Sequence, residues 1–297
     1  MGLSTMKPSD FIHPEDAAAL RQMESIPGFT ALIKKILAIG LENLQYGINM
    51  ASTIRLSEKQ LPELYRHLPP ICNKLGIEEP EFYLKMDPNP NAWTFGDTRI
   101  YITVTSGLVD MMNDEELDAV LAHECGHILC RHVLYHTIAQ WLWGGFVNLG
   151  LIETFSIPIQ YAILYWSRKS ELSADRAASI ITSPEVVAST MARFAGGPKA
   201  LTENINLEEW AKQADEYEKI QNDGLWNKAL QLSVIAGLDH PFSAVRVREI
   251  LKWGRSPQYQ IIKNDKSKVD SSGRTCPRCG SGVGDDWHFC RSCGCKL

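Results

Sequence analysis

From the amino terminus the apolar spacing is that of helices. Pro14, followed by Glu15 and Asp16, opens a helix over AAALRQM, and Pro27-Gly28 ends it. GFTALIKKILAIGLENLQYGINMAS then shows one apolar stripe but carries Lys34, Lys35 and Glu42, so it is an amphipathic helix and not a membrane span. It docks on the rest of the chain or covers a cleft as a latency segment. SEKQLPELYRHLPPICNKLGI continues helical, interrupted at Pro69-Pro70. The period then shortens. EFYLKM, NAWTFGD and RIYITVT are rich in β-branched and aromatic residues and separated by turn residues, which predicts a small sheet. Its edge could hold an extended peptide by strand addition, placing Asn91, Ala92 and Trp93 near a substrate.

From Asn113 the helical period returns. Leu117, Val120, Leu121 and Ile128 form a stripe, Asn113 or Asp114 supplies the N-cap, and the acids of the first turn suit the helix dipole. Residues 141 to 166 are almost wholly apolar, with Glu153 as the one formal charge. The stretch is too short for two crossings, which need about 40 apolar residues. A buried helical hairpin broken near Gly144-Gly145 and Pro158 is expected, with a shallow membrane-dipping element as the alternative, since Trp and Tyr at both ends also suit an interface. Further mixed helices follow, with AGGPKA as a break. Residues 256–273 are polar and turn-rich and read as a linker.

The chemistry concentrates in LAHECGHILCRH. At about 100° and about 1.5 Å per residue, His127 lies about 40° around and about 6 Å along the helix from His123, so both imidazoles converge on one point. Glu124 flanks that point and can take a proton from a metal-activated water. A catalytic zinc needs a third protein ligand. SELSADRAA offers Glu171, with Asp175 one turn on to accept the outer N–H of a ligand histidine. Cys125 and Cys130 read as core thiols, and His132 and His136 as packing residues or supports behind the ligands. Spacing alone makes His240 a helix-start residue and Arg246 a surface residue.

Composition sets the frame. The 297-residue chain is 44% hydrophobic and 22% charged, enough for one main domain with appendages. Its net charge of −5 argues against a protein built to grip nucleic acid. Cysteines 276, 279, 290, 293 and 295 crowd the carboxyl terminus, which points to metal in a reducing compartment and not to disulfides. Cys276, Cys279, Cys290 and Cys293 form two C-x-x-C knuckles that can close a structural Cys₄ zinc site, a zinc ribbon. The beginning MGLSTMKPSDFIHPED has no secretory pattern, so a cytoplasmic location is expected, with peripheral membrane contact through residues 141–166 as its variant.

NAWTFGDTRIYITVTSGLVD, LAHECGHILCRH, SELSADRAA and DHPFSAVR, in that order over roughly residues 60–250, resemble the HtpX-like and CaaX-prenyl-protease-type gluzincins, peptidase family M forty-eight. The resemblance implies His123, His127 and Glu171 as zinc ligands, Glu124 as general base and Asp175 as their support. His240 and Arg246 match the family's H-P-x-x-x-x-R element, which implies transition-state or cleft roles. Two features depart from the family: there is no room for full membrane spans, and the zinc ribbon lies outside the family core.

The expected protein is mostly helical α+β: an N-terminal helical segment (1–55), a gluzincin domain with a small sheet beside the H-E-x-x-H helix (56–255), a linker (256–273) and a Cys₄ ribbon (274–297). It would be a zinc endopeptidase acting on peptides or proteins, in protein quality control, with one catalytic and one structural zinc. The alternative is a latent or non-catalytic scaffold whose ribbon binds a protein or, less in keeping with the charge, a nucleic acid.

Overall fold

The computed structural model describes residues 6–29, 33, 41–143, 157–222, 242–270, 274–278, 282–283 and 295–296. Helix α1 (Pro14–Glu24) begins at the predicted proline, with His13 Nδ1 accepting from the Glu15 amide as cap. Helix α2 (Leu41–Ser52) leads into strand β1 (Ile54–Arg55). After a single helical turn at Pro62–Tyr65 comes α3 (Leu68–Leu75). Pro69 and Pro70 sit in the first turn of α3, where a missing N–H costs nothing, so they start a helix where an interruption was expected.

Strands β2 (Glu81–Lys85), β3 (Ala92–Phe95) and β4 (Tyr101–Thr105) complete a sheet in the order β1-β2-β4-β3. β2 and β4 run parallel, and β3 pairs antiparallel with β4, Thr94 opposite Ile102. Both faces are covered. Phe82, Ala92, Ile102 and Val104 join a core with α3 and the metal helix, while Tyr83, Phe95 and Tyr101 join a second core with Met23 of α1 and Trp166. The two-residue period of the strands divides the side chains between these cores.

A short turn of helix at Ser106–Met111 precedes the metal helix α4 (Asp114–Leu129). Asn113 Oδ1 accepts from the Glu116 amide and Glu116 Oε2 accepts from the Asn113 amide, a reciprocal cap that settles the start of α4. At its end Arg131 takes the left-handed conformation (φ 60°), and the chain turns into α5 (Val133–Trp143). Helix α6 (Ile157–Ile181) lies along α4, and α7 (Pro184–Gly196) packs on both. Glu116 is tied to α7 by Arg193 Nε at 2.9 Å. Helices α8 (Leu207–Asn222) and α9 (Ser243–Gly254) close the domain.

The expected linker is instead largely a helix, α10 (Pro257–Asp270). Ser256 Oγ caps it by accepting from the Tyr259 amide, and buried Tyr259 packs edge-on to Trp253 of α9. Its many polar residues left too few apolar positions for the sequence to show a stripe. Beyond it β5 (Arg274–Thr275) and β6 (Gly282–Val283) form an antiparallel pair. In the apolar 141–166 stretch, residues 141–143 end α5 and 157–166 begin α6; the expected break at Gly144-Gly145 lies outside the described residues. No described helix is long and apolar enough to cross a membrane.

Candidate metal centre and cleft

Helix α4 turns His123 and His127 inward, and α6 brings Glu171 against them. The two Nε2 atoms lie 3.1 Å apart, with Glu171 Oε2 3.4 Å from His123 Nε2 and Glu171 Oε1 3.3 Å from His127 Nε2. Two ligands about 2.0–2.1 Å from one tetrahedral zinc ion are roughly 3.3 Å apart, so these three separations fit a single ion. All three side chains are buried. Burial drives the His127 pKa down to about 3, whereas at His123 the Glu171 and Asp175 carboxylates outweigh burial and push it up to about 9.

Each of these two histidines is held from behind. His123 Nδ1 lies 3.0 Å from Asp175 Oδ1, which fixes its proton on that nitrogen and directs a lone pair inward from Nε2. Arg246 grips the same carboxylate in a fork, Nε to Oδ2 at 2.8 Å and Nη2 to Oδ1 at 2.6 Å, and its Nη1 is 3.0 Å from Glu171 Oε2. Burial raises the Asp175 pKa, and Arg246 more than offsets it, so the carboxylate stays charged. The surface position that spacing gave Arg246 is therefore corrected: the turn before α9 swings it inward, 8% exposed, against His123, Glu171 and Asp175. His240 lies outside the described residues.

Behind His127 stands His132. An unbroken helix would place these rings far apart, but the turn at Arg131 folds His132 back until the two Nδ1 atoms are 3.1 Å apart. His132 Nε2 is 3.1 Å from Asp16 Oδ2, a charge contact off the line of a hydrogen bond, and has no hydrogen-bond partner among the described residues. Asp16, fully buried, also accepts from Trp166 Nε1 at 3.0 Å and Ser173 Oγ at 2.5 Å. His136 completes the cluster, its Nε2 2.7 Å from Ser170 Oγ. His127, His132 and His136 could also group around an ion, though the outer nitrogens of the last two face Asp16 and Ser170.

Glu124 is 2% exposed, and its Oε2 accepts from Thr94 Oγ1 of β3 at 2.6 Å. It lines a cavity of about 410 Å³ together with His123, Asn91, Ala92 and Arg246. The far wall is apolar, with Val187, Met191 and Phe194 of α7 and Phe242 before α9. Trp93 is not at this cavity. Strand alternation sends it to the opposite core, where Lys85 lies over its ring, so of the three strand residues expected near a substrate only Asn91 and Ala92 line this cavity. No lining residue comes from the described part of residues 1–55, and Tyr46 of α2 instead docks on the sheet through Tyr101 and Glu81.

The sequence reading missed Thr94, although it shares a strand face with Ala92, and Asp16, which no local pattern marks. Cys125 and Cys130 are buried core thiols, Cys125 Sγ being 3.9 Å from Cys72 Sγ. In the carboxyl-terminal hairpin Cys276 is buried and accepts from the Arg278 amide at 3.4 Å; Cys279, Cys290 and Cys293 lie outside the described residues.

Residues 58–254 match the family model described as Peptidase family M48. The chain is 31% identical over 268 residues to the plastoglobule-localized metallopeptidase 48, chloroplastic, of Arabidopsis thaliana, covering 88% of this chain and 77% of that protein. It is 31% identical over 140 residues to a protease HtpX homolog of Pelotomaculum thermopropionicum, covering 40% of this chain and 50% of that one. For the HtpX homolog of Methanocaldococcus jannaschii the figures are 29% over 172 residues, 48% and 61%. The buried His-His-Glu set and the family match, which spans strands β2 to β4, the metal helix and α9, lead to one conclusion: the chain belongs to peptidase family M48 and is a zinc metallopeptidase.

Proposed function

We propose that the chain is an endopeptidase in which His123, His127 and Glu171 hold the catalytic zinc and Glu124 is the general base. When bound there, zinc supplies Lewis acidity to a water and to the substrate carbonyl. Thr94 holds the Glu124 carboxylate in place, so that it takes the water proton at one stage and returns it to the leaving amine at the next. Asn91 and Ala92 form the strand side of the cleft, where an extended peptide lies along β3, and the apolar wall of α7 receives a substrate side chain. Arg246 acts as a positioning residue that holds Asp175 and Glu171 behind the ligands.

The observation that carries this reading is the convergence of the three donors within 4.8 Å of one another, beside a carboxylate that opens on a cavity. Substituting Glu124→Gln leaves zinc bound and lowers kcat by about 10²–10⁴-fold. Zinc analysis with mass-spectrometric cleavage mapping on a peptide library checks it, and a variant that cleaves like the wild type would refute the mechanism.

The remaining roles belong to the same reading. His240 is assigned a transition-state or cleft role through the resemblance of its H-P-x-x-x-x-R element to that of the family. Cys276, Cys279, Cys290 and Cys293 hold a structural zinc in a ribbon that docks a protein partner. The enzyme works in the cytoplasm in protein quality control, touching membranes peripherally through residues 141–166, which vesicle flotation of the full chain tests.

A further inference from the structure

We infer that Asp16, on the N-terminal helix and outside the matched residues 58–254, sets the protonation pattern of the zinc ligand His127 by acting through His132. The inference rests on His127 being a ligand. A ligating Nε2 carries no proton, so the one proton of neutral His127 sits on Nδ1. That N–H points at His132 Nδ1, 3.1 Å away, which must then accept. His132 therefore carries its proton on Nε2, the nitrogen facing Asp16 Oδ2 at 3.1 Å. The opposite ordering fails at both ends: a proton on His132 Nδ1 would force the His127 proton onto Nε2, among the metal donors, and would turn a His132 lone pair toward a carboxylate.

Asp16 is built for this task. Trp166 Nε1 and Ser173 Oγ hold both its oxygens, and both donors come from α6, the helix that also carries Glu171. The Ser173 hydroxyl in turn accepts from the His13 amide at 2.9 Å, which fixes the start of α1 against the same helix. The metal centre thus has a carboxylate behind each histidine: Asp175 hydrogen-bonded to His123 directly, and Asp16 in charge contact with His132, the imidazole that backs His127.

The test uses the full chain, zinc-loaded and labelled with ¹⁵N-histidine, its ring signals assigned with single His→Gln variants. Long-range ¹⁵N–¹H spectra are expected to show the His132 proton on Nε2 and the His127 proton on Nδ1. Substituting Asp16→Asn is expected to weaken the catalytic zinc site about 10–100-fold in competition with a chromophoric chelator. A Glu15→Gln control, on the exposed side of the same helix, leaves affinity unchanged. A wild-type His132 protonated on Nδ1, or an Asp16→Asn affinity within twofold of wild type, overturns the inference. The wild-type spectrum decides even where Asp16→Asn does not fold. His127→Ala separates the two readings: if it keeps the full zinc content, the ligand assignment itself has failed, and if it loses one equivalent while Asp16→Asn loses no affinity, the relay has failed.

Discussion

Replacing Gly126 by alanine puts a methyl group into a close contact between α4 and α6. A Cβ on Gly126 would lie 2.8 Å from Ala177 Cβ, 3.1 Å from Ala174 Cα and 3.3 Å from the Ala174 carbonyl oxygen. Carbon atoms pack at about 3.5–4.0 Å, so α4 and α6 must part by roughly 0.7–1 Å. Two of those neighbours are backbone atoms, which cannot swing aside. The overpacking costs about 1–3 kcal/mol, and the better helix propensity of alanine offsets about 1 kcal/mol of it. Net stability therefore changes by about 0–2 kcal/mol. The site is far less forgiving, because α4 carries His123, Glu124 and His127 while α6 carries Glu171 and Asp175, and metal geometry tolerates about 0.2 Å. We expect Gly126→Ala to stay folded with a loss of at most about 2 kcal/mol in denaturant unfolding, to bind zinc more weakly and to lose about 100-fold in kcat/KM. Wild-type kcat/KM in a folded Gly126→Ala protein would refute the argument that close helix contact sets the ligand geometry.

Thr94→Val removes the hydrogen bond to Glu124 while keeping the shape of the strand; a bond to a charged group contributes about 1.5–3 kcal/mol, so kcat should fall about 10–100-fold at unchanged zinc content, measured with a fluorogenic peptide. Deleting residues 1–27 removes Asp16 and should lower zinc affinity and activity together; a rise in activity would instead identify the segment as a latency element. At Glu249 the nearby His13, at 3.9 Å, leads in pulling the carboxyl down from 4.5 to about 2, against burial and with help from Lys252 and Arg248. A depressed carboxyl stabilises the fold above about pH 4.5, and that contribution is lost as pH falls through about 2. With the pair partly solvated, Glu249→Gln should cost about 1–2 kcal/mol at pH 7 in urea unfolding, and the gap to wild type should close between pH 4.5 and 2.

The amino-acid sequence by itself determined the parts governed by local geometry. Helical pitch places His123 beside His127 and Glu171 beside Asp175, a cap at Asn113 or Asp114 starts the metal helix, and β-branched and aromatic runs mark β2, β3 and β4. Each depends on residues within one or two turns of each other. The tertiary structure alone decided whatever joins distant segments. It buried Arg246 on the Asp175 carboxylate, 71 residues away in the chain, where helical phase alone had pointed it to solvent. It folded His132 back at Arg131 to meet Asp16 from the first helix, and it aimed Thr94 at Glu124 while sending Trp93 to the other core. Partial burial and long-range charge select these partners, and neither leaves a periodic trace in the sequence. The helix α10 that replaced the expected linker teaches the same lesson, since Tyr259, packed on Trp253, and Ile262, packed against the main core, anchor a largely polar segment.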